Sequence, residues 1–235
     1  MKSVAIFRFS PIEGPGYFAT FLDNNHIPWQ LISIDQGKHL PVNIHPFSGL
    51  VLMGGPMSVN DSLPWIEPLL ALIKQAVIHD VPVLGHCLGG QLMSKALGGI
   101  VEANPIKELG WGKVSVADNP VAHEWLGDLK EFESFHWHGE TFSLPAGAAL
   151  LLSSVYCQNQ AFALGIHLGM QCHVEMTEEM VRNWSKVNAA EIAQNLASPA
   201  VQPAEAMQMD LEFRVPLLNT IADRLYSKWI NALKN

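Results

Sequence analysis

Along the first hundred residues, short apolar runs alternate with stretches whose apolar positions recur every three to four residues. Val4 to Phe9 reads as a first strand and Pro11 to Gly16 as a loop. Tyr17, Phe18, Phe21 and Leu22 carry helical spacing until Asn24-Asn25 stops it. Trp29 to Ile34 is a second strand, and the wholly apolar Leu50 to Met53 a third that runs directly into Gly54-Gly55-Pro56. Ile66, Leu69, Leu70, Ile73 and Val77 lie at 3.6-residue spacing on a helix, where Pro68 is tolerated because it falls in the first turn. Val81 to Leu84 then forms a strand and Leu92 to Leu97 a helix. Apolar strands alternating with helices predict a three-layer α/β fold, a mostly parallel central sheet with helices on both faces.

Beyond Gly99 the texture changes. Lys113 to Val116, Ala149 to Val155, Ala161 to Ile166 and Gly169 to His173 are separated by Gly, Pro, Asn and Asp, and predict an antiparallel or mixed extension. Thr177 is placed as a helix N-cap, with Glu178 and Glu179 against the positive end of the helix dipole. Two more helical patterns follow, separated by Ser198-Pro199 and Pro203. The last, Leu211 to Leu233, carries Leu217, Leu218, Ile221, Leu225, Trp229 and Leu233 on one stripe. Residues 177–235 are therefore expected to form a helical extension of a single domain spanning 1–235, packed on the core or on a second subunit in a homodimer.

Composition narrows the classes of function. At 235 residues, 49% hydrophobic and 15% charged, the chain can bury one substantial core. Its 14 Lys and Arg against 22 Asp and Glu, a formal charge of -8, leave no basic footprint for nucleic acid. No apolar run approaches the ~20 residues of a membrane span, and the stretch before Arg8 is too short for a signal peptide. Cys87, Cys157 and Cys172 are odd in number and too few for a disulfide framework, so a reducing cytoplasm is the expected compartment.

The chemistry centres on Gly85-His86-Cys87-Leu88-Gly89-Gly90-Gln91. A strand enters this stretch and a helix leaves it, so Cys87 belongs at a sharp strand-to-helix turn, with Gly85 and Gly89 supplying the positive φ and close approach such a turn needs. A helix N-terminus favours the thiolate, the reactive form. A cysteine nucleophile also needs a base and a group to orient it. In extended backbone His173 and Glu175 point to one side, and Cys172 to the other, where it packs. The N–H groups of Leu88 and of the Gly54-Gly55 turn are candidates for stabilising an oxyanion.

Taken jointly, Gly54-Gly55-Pro56, Gly85 to Gln91 and Gln171-Cys172-His173-Val174-Glu175 resemble the class I (triad) glutamine amidotransferase domain, over roughly residues 45 to 185. His136-Trp137-His138-Gly139-Glu140 resembles the corresponding stretch of the GMP synthase type. The resemblance implies a flavodoxin-like fold and a Cys87, His173, Glu175 triad that forms a γ-glutamyl thioester from glutamine and releases ammonia. It further implies an oxyanion hole at Gly55 and Leu88, glutamine contacts from Gly54, Gln91 and His138, and no cofactor. No Ser-Gly-Gly-x-Asp-Ser loop follows, and Gly112-Lys113-Val114 is no phosphate loop, so a separate synthase subunit is the expected acceptor of ammonia.

The usual Gln-Phe-His-Pro-Glu reads Gln171-Cys172-His173-Val174-Glu175 here and loses the stiffening proline. Gly90 stands where a bulkier residue is frequent, which predicts a more open substrate pocket. That opening is the support for a second reading, a γ-glutamyl peptide hydrolase using the same thioester. A third, a catalytically silent regulatory subunit, is opposed by the intact Cys87, His173 and Glu175. His136 and His138 on one strand face could join His173 or Glu175 around zinc or iron, but no further ligand has a recognisable spacing, and no metal is expected. Trp184 reads as a packing residue, and His86 as a neighbour of the site without a direct role.

Overall fold

In the computed structural model, which describes residues 2–234, the chain runs β1 (Ser3–Arg8), α1 (Gly16–Asn24), β2 (Trp29–Ser33), β3 (Phe47–Leu52), α2 (Ile66–Ile78), β4 (Val83–His86), α3 (Leu88–Ala96), β5 (Val101–Val116), α4 (Pro120–Leu126), β6 (Glu131–Phe142), β7 (Ala149–Ser153), β8 (Ala161–Leu164), β9 (His167–Met170), α5 (Glu178–Val187), α6 (Ala189–Asn195), α7 (Ala204–Met207) and α8 (Leu211–Ile230). The strands form one sheet in the order β2-β1-β3-β4-β9-β8-β7-β5-β6. Pairing is parallel from β2 through β9 and antiparallel from β9 through β6.

Period-two alternation sorts the strand side chains into two cores, one on each face. Val4 and Ile6 of β1, Val51 of β3 and Leu84 of β4 point to the face covered by α1, α4 and α8. Ala5 and Phe7, Leu50 and Leu52, and Val83 point to the face covered by α2 and α3. Both faces of the parallel strands are thus buried, which is why these strands read as unbroken apolar runs.

Three expectations need correction. The segment Gly169 to His173 belongs to a mixed part of the sheet, antiparallel to β8 and parallel to β4, but its bounds differ: β9 starts at His167 and ends at Met170, so residues 171–175 leave the sheet. The ladder of β5 and β6 is far longer than Lys113 to Val116. Asn104-Pro105 and Gly110 mask it in the sequence, and a register shift between Ala103 and Glu108 absorbs the irregularity. On α8 the buried stripe is Leu211, Val215, Leu218, Ala222, Leu225, Tyr226 and Trp229, while Leu217 is 70% exposed. A helix turns 100° per residue, so only one of the adjacent Leu217 and Leu218 can face the sheet.

The last helix packs on the core. Tyr226 and Trp229 stand edge-on to Phe18 of α1, with ring centroids 4.7 and 5.8 Å apart. Each such fully buried apolar side chain contributes about 1.5–3 kcal/mol. Gly49 lets α8 come this close to β3, since a Cβ there would lie 2.8 Å from the Trp229 ring.

Tight approach also governs the β4–α3 turn. A Cβ on Gly89 would stand 2.1 Å from the Leu52 carbonyl oxygen, a backbone atom that cannot rotate away. Gly89→Ala is therefore expected to destabilise the protein by about 3 kcal/mol, the upper end of the overpacking range. Gly14→Ala, where a Cβ meets nothing within 4 Å, is the matched control. Urea denaturation midpoints of the two variants check this, and equal midpoints would contradict the packing argument.

Candidate active site

Cys87 is the N-cap of α3 and sits at φ 50°, ψ -108°. The sequence reading gave the positive φ to the flanking glycines, but the nucleophile candidate itself takes it. Gly85 and Gly89 are needed for proximity, because a Cβ on Gly85 would lie 2.4 Å from the backbone carbon of Gly89. The Cys87 N–H donates to the Met170 carbonyl at 2.7 Å, tying the turn to β9. Its sulfur, almost fully buried, accepts from the Gln171 amide at 3.5 Å and lies 3.7 Å from the Trp137 carbonyl.

His173 and Glu175 arrive beside it on the segment that follows β9. His173 Nδ1 and Glu175 Oε1 are 2.6 Å apart, and both residues are buried. The loss of the proline between them does not disturb the pair: Val174 is itself buried in the core, and the His173 N–H donates to the Phe135 carbonyl at 2.8 Å. Burial would pull the His173 imidazole down, but the Glu175 carboxylate and the Cys87 side chain overrule it and hold it well above its usual range. Burial would likewise push Glu175 up, yet the charge of His173 and the hydrogen bond between them hold it below its usual range. At neutral pH the pair is carboxylate and imidazolium, with His173 Nε2 left free of any hydrogen bond among the described residues.

His86 is more than a neighbour. Its Nε2 lies 3.0 Å from the Tyr226 hydroxyl of α8 and 3.6 Å from the second oxygen of Glu175. Burial pulls this imidazole down, so it is a neutral hydrogen-bonding group. Its Nδ1 has no partner among the described residues. The tautomer protonated at Nε2 is favoured, because it leaves a bare lone pair at Nδ1 and not an orphaned donor.

The remaining expected residues also converge. A Cβ on Gly55 would lie 2.8 Å from a Leu88 methyl group, so these two backbones are adjacent. The Gly55 N–H makes no backbone hydrogen bond among the described residues, and Leu88, the first residue of α3, has no intrahelical carbonyl for its N–H. Gly54 abuts the His173 ring, with Cε1 3.3 Å from where its Cβ would be. Gln91 donates to Gln171 at 3.1 Å and so reaches the sulfur through one intermediary. His138 lines the same cavity, its Nδ1 bonded to the Glu140 carbonyl at 3.0 Å. Gly90 does not line it. A Cβ there would strike the Met170 carbonyl at 2.4 Å, so this glycine serves helix-to-strand packing and opens no pocket.

The cavity at Cys87 encloses about 380 Å³, a size that holds a small-molecule substrate. Its charged lining is Glu13, Glu140, Glu191 and Lys107. Lys107 is already engaged by Glu191 at 2.7 Å, and Glu140 by Ser58 at 2.9 Å. Trp184 both packs and lines the cavity, edge-on to His173 with ring centroids 5.0 Å apart. Cys157 and Cys172 lie elsewhere, and burial pushes the Cys172 thiol up to about 12, an inert state. Glu13 escaped the sequence reading, and Gln171 entered it only as part of a motif, without its contact to the sulfur. That contact could have been found from the place of Gln171 two residues before His173, whereas Glu13 lies in a loop with no periodicity to mark it.

Glu13 carries a testable consequence. Burial pushes its carboxyl up to about 7 against the opposing pull of His173, and Glu175 and Glu191 add to the rise. A raised carboxyl pKa means the folded state binds the proton more tightly than the unfolded one, so stability is withheld as pH climbs from 4.5 through 7. Glu13→Gln should therefore stabilise the protein at pH 8 by about 1 kcal/mol, roughly 2–4 °C in Tm, and the gain should vanish near pH 4.5. Thermal unfolding followed across that range checks the sign, which a purely packing effect would not reverse.

Comparison with known proteins agrees with this geometry. The family model for the class-I glutamine amidotransferase domain matches residues 25–180. A putative glutamine amidotransferase-like protein, YfeJ of Salmonella typhimurium, is 32% identical over 164 residues, 67% of this chain and 69% of that protein. A GMP synthase (glutamine-hydrolyzing) of Thermosipho africanus is 30% identical over 173 residues, of which the chain spans only 29% of the synthase's length. Gamma-glutamyl peptidase 3 of Arabidopsis thaliana is 27% identical over 71% of each chain. A crystal structure described as a glutamine amido transferase from Methylobacillus flagellatus superposes with a TM-score of 0.97 at 47% identity, covering 100% of this chain and 96% of that one. The chain belongs to the class-I glutamine amidotransferase family.

Proposed function

We propose that the protein hydrolyses the γ-glutamyl amide bond of glutamine through a thioester on Cys87, releasing glutamate and ammonia. The observation that carries this reading is the buried His173–Glu175 pair, 2.6 Å between Nδ1 and Oε1, beside a cysteine at a strained strand-to-helix turn that lines the cavity.

The Cys87 thiolate adds to the γ-carbonyl carbon, and the oxyanion that forms is received by the N–H groups of Gly55 and Leu88. The C–N bond then breaks, with the leaving nitrogen taking the proton of His173 Nε2. A water, deprotonated by the same imidazole, attacks the thioester, breaks the C–S bond and frees glutamate. Glu175 keeps the ring in its orientation and stabilises its charged form. Gln91, through Gln171, and the wall near His138 position the glutamyl group, and an acceptor for ammonia would dock as a separate synthase subunit at the cavity rim.

One observation favours a second reading, a γ-glutamyl peptide hydrolase. The likeness to the Arabidopsis peptidase extends over most of both chains, whereas the likeness to GMP synthases is confined to a minor part of theirs. The Gly90 opening that the sequence suggested no longer supports it.

Cys87→Ala is expected to lower kcat by about 10⁴-fold or more and His173→Ala nearly as much, while Glu175→Gln should be milder. Ammonia release from glutamine and amino-acid release from γ-glutamyl peptides, measured on the free chain, separate the two substrates. A free chain inactive on both, and not activated by a synthase that co-purifies with it, would reject both readings.

A further inference from the structure

Behind the cavity wall, Glu108, His136 and His138 converge from the paired strands β5 and β6. Glu108 stands opposite His138 in the ladder, and Gly110 opposite His136. All three side chains are buried, and one ligating atom from each lies within 4.8 Å of the others. The sequence offered His173 or Glu175 as partners for the two histidines. The residue that joins them is Glu108, brought across the sheet by a register that the irregularity after Ala103 conceals.

The hydrogen bonds fix which nitrogen of each ring carries its proton. His138 Nδ1 lies 3.0 Å from the Glu140 carbonyl, and His136 Nε2 3.3 Å from the Gly112 carbonyl. A carbonyl oxygen only accepts, so these are the N–H nitrogens. In the neutral rings, His138 Nε2 and His136 Nδ1 therefore present bare lone pairs. His138 Nε2 lies 3.0 Å from Glu108 Oε2, a separation that a shared proton or a bound cation bridges. His136 Nδ1 is buried without any partner among the described residues. The Gln160 amide lies 3.4 Å from His138 Nε2, but it is closer to Glu108 Oε2, at 2.8 Å. Two imidazoles and a carboxylate with one ligating atom of each gathered within 4.8 Å, and with ring nitrogens anchored on backbone carbonyls, is the kind of arrangement by which proteins hold transition-metal ions.

We propose that Glu108, His136 and His138 form a binding site for a divalent transition-metal ion of the Zn²⁺ class, separate from the cysteine chemistry. Metal bonds of about 2.0–2.2 Å in a tetrahedral site place ligand atoms about 3.4 Å apart, so binding requires His138 and Glu108 to open slightly from 3.0 Å and His136 to adjust to the same spacing. A second cavity of about 170 Å³, lined by Glu108, His136, Gly112 and Ser154, offers an entry and room for a water as the fourth ligand. An ion there would clamp β5 to β6 and fix the His138 wall of the active-site cavity. Its role is structural, so its readouts are metal content and stability.

The test uses the full chain, purified without chelators and without a histidine tag. Elemental analysis should find about one Zn²⁺ or comparable ion per chain, removal by a chelator should lower the Tm, and Co²⁺ should bind with the visible absorption of a tetrahedral site. His136→Ala, which deletes an unpartnered nitrogen, should weaken Zn²⁺ binding by more than about 100-fold, beyond what loss of an outer-shell group does. Glu108→Gln should do the same, and if that variant fails to fold, the Co²⁺ spectrum of the unaltered chain and the His136→Ala titration decide alone. Absence of saturable Zn²⁺ or Co²⁺ binding in calorimetry, or unchanged affinity in His136→Ala, would overturn the proposal. So would nitrogen NMR showing His138 protonated at both ring nitrogens with Zn²⁺ present, since the contact with Glu108 would then be a plain ion pair.

Discussion

Cys87 stays at φ 50° only because its turn is closed on every side, and this constraint organises the molecule. A non-glycine residue in such a conformation costs about 1–3 kcal/mol and persists where its surroundings over-determine it. Here α3 presses on β3 through Gly89, on β9 through Gly90, and the Cys87 N–H is held by Met170. The topology then brings the partners to the sulfur. Because β1, β3, β4 and β9 are parallel, their carboxyl ends all open on the same edge of the sheet. The loop bearing Glu13 follows β1, Gly54-Gly55 follows β3, Cys87 follows β4, and His173 with Glu175 follows β9. Residues as far apart in sequence as Glu13 and Glu175 meet without any long excursion of the chain.

An ionised carboxylate inside an apolar core is expensive unless it is paired and hydrogen-bonded. Glu175 meets this requirement at one oxygen through His173; its other oxygen has no hydrogen bond among the described residues, with His86 Nε2 standing 3.6 Å away and held by Tyr226. The C-terminal helix is therefore part of the structure around Glu175. It also reaches the same segment through the Asn219 amide, which donates to the Met176 carbonyl at 3.1 Å. Tyr17 binds Asp223 of α8 with its hydroxyl and the Glu175 carbonyl with its backbone N–H, which draws α1 into the same support.

How much of this was legible follows from what a sequence encodes locally. The parallel half was readable because strands buried on both faces must be apolar throughout, and helices on those faces must repeat every 3.6 residues. Thr177 announced α5, and its hydroxyl does accept from the Met180 N–H at 3.2 Å. The long β5–β6 ladder was not readable, because bulges and glycines break its alternation while its pairing is non-local. The residues Cys87, His173 and Glu175 were legible through spacing and resemblance. Glu108, Glu13 and Tyr226 were not, since each acquires its partner from register, loop path or helix rotation. The misassigned Gly90 shows the same limit from the other side: a glycine marks a close approach, but only the fold says to what.

The electrostatics of the cavity complete the argument. Glu191 is matched by Lys107 and also accepts from the Trp137 indole at 2.9 Å, while Glu140 has the Ser58 hydroxyl. Glu13 has no hydrogen-bonding side-chain partner among the described residues, and burial with the carboxylates of Glu175 and Glu191 outweighs the opposing pull of His173. A raised carboxyl beside Cys87 makes physical sense when the ligand brings a further positive charge. On the proposed reading the glutamyl group does so through its α-ammonium. Docking of that cation beside Glu13 would relieve the repulsion, favour the ionised carboxylate and convert an unfavourable feature of the free chain into binding energy.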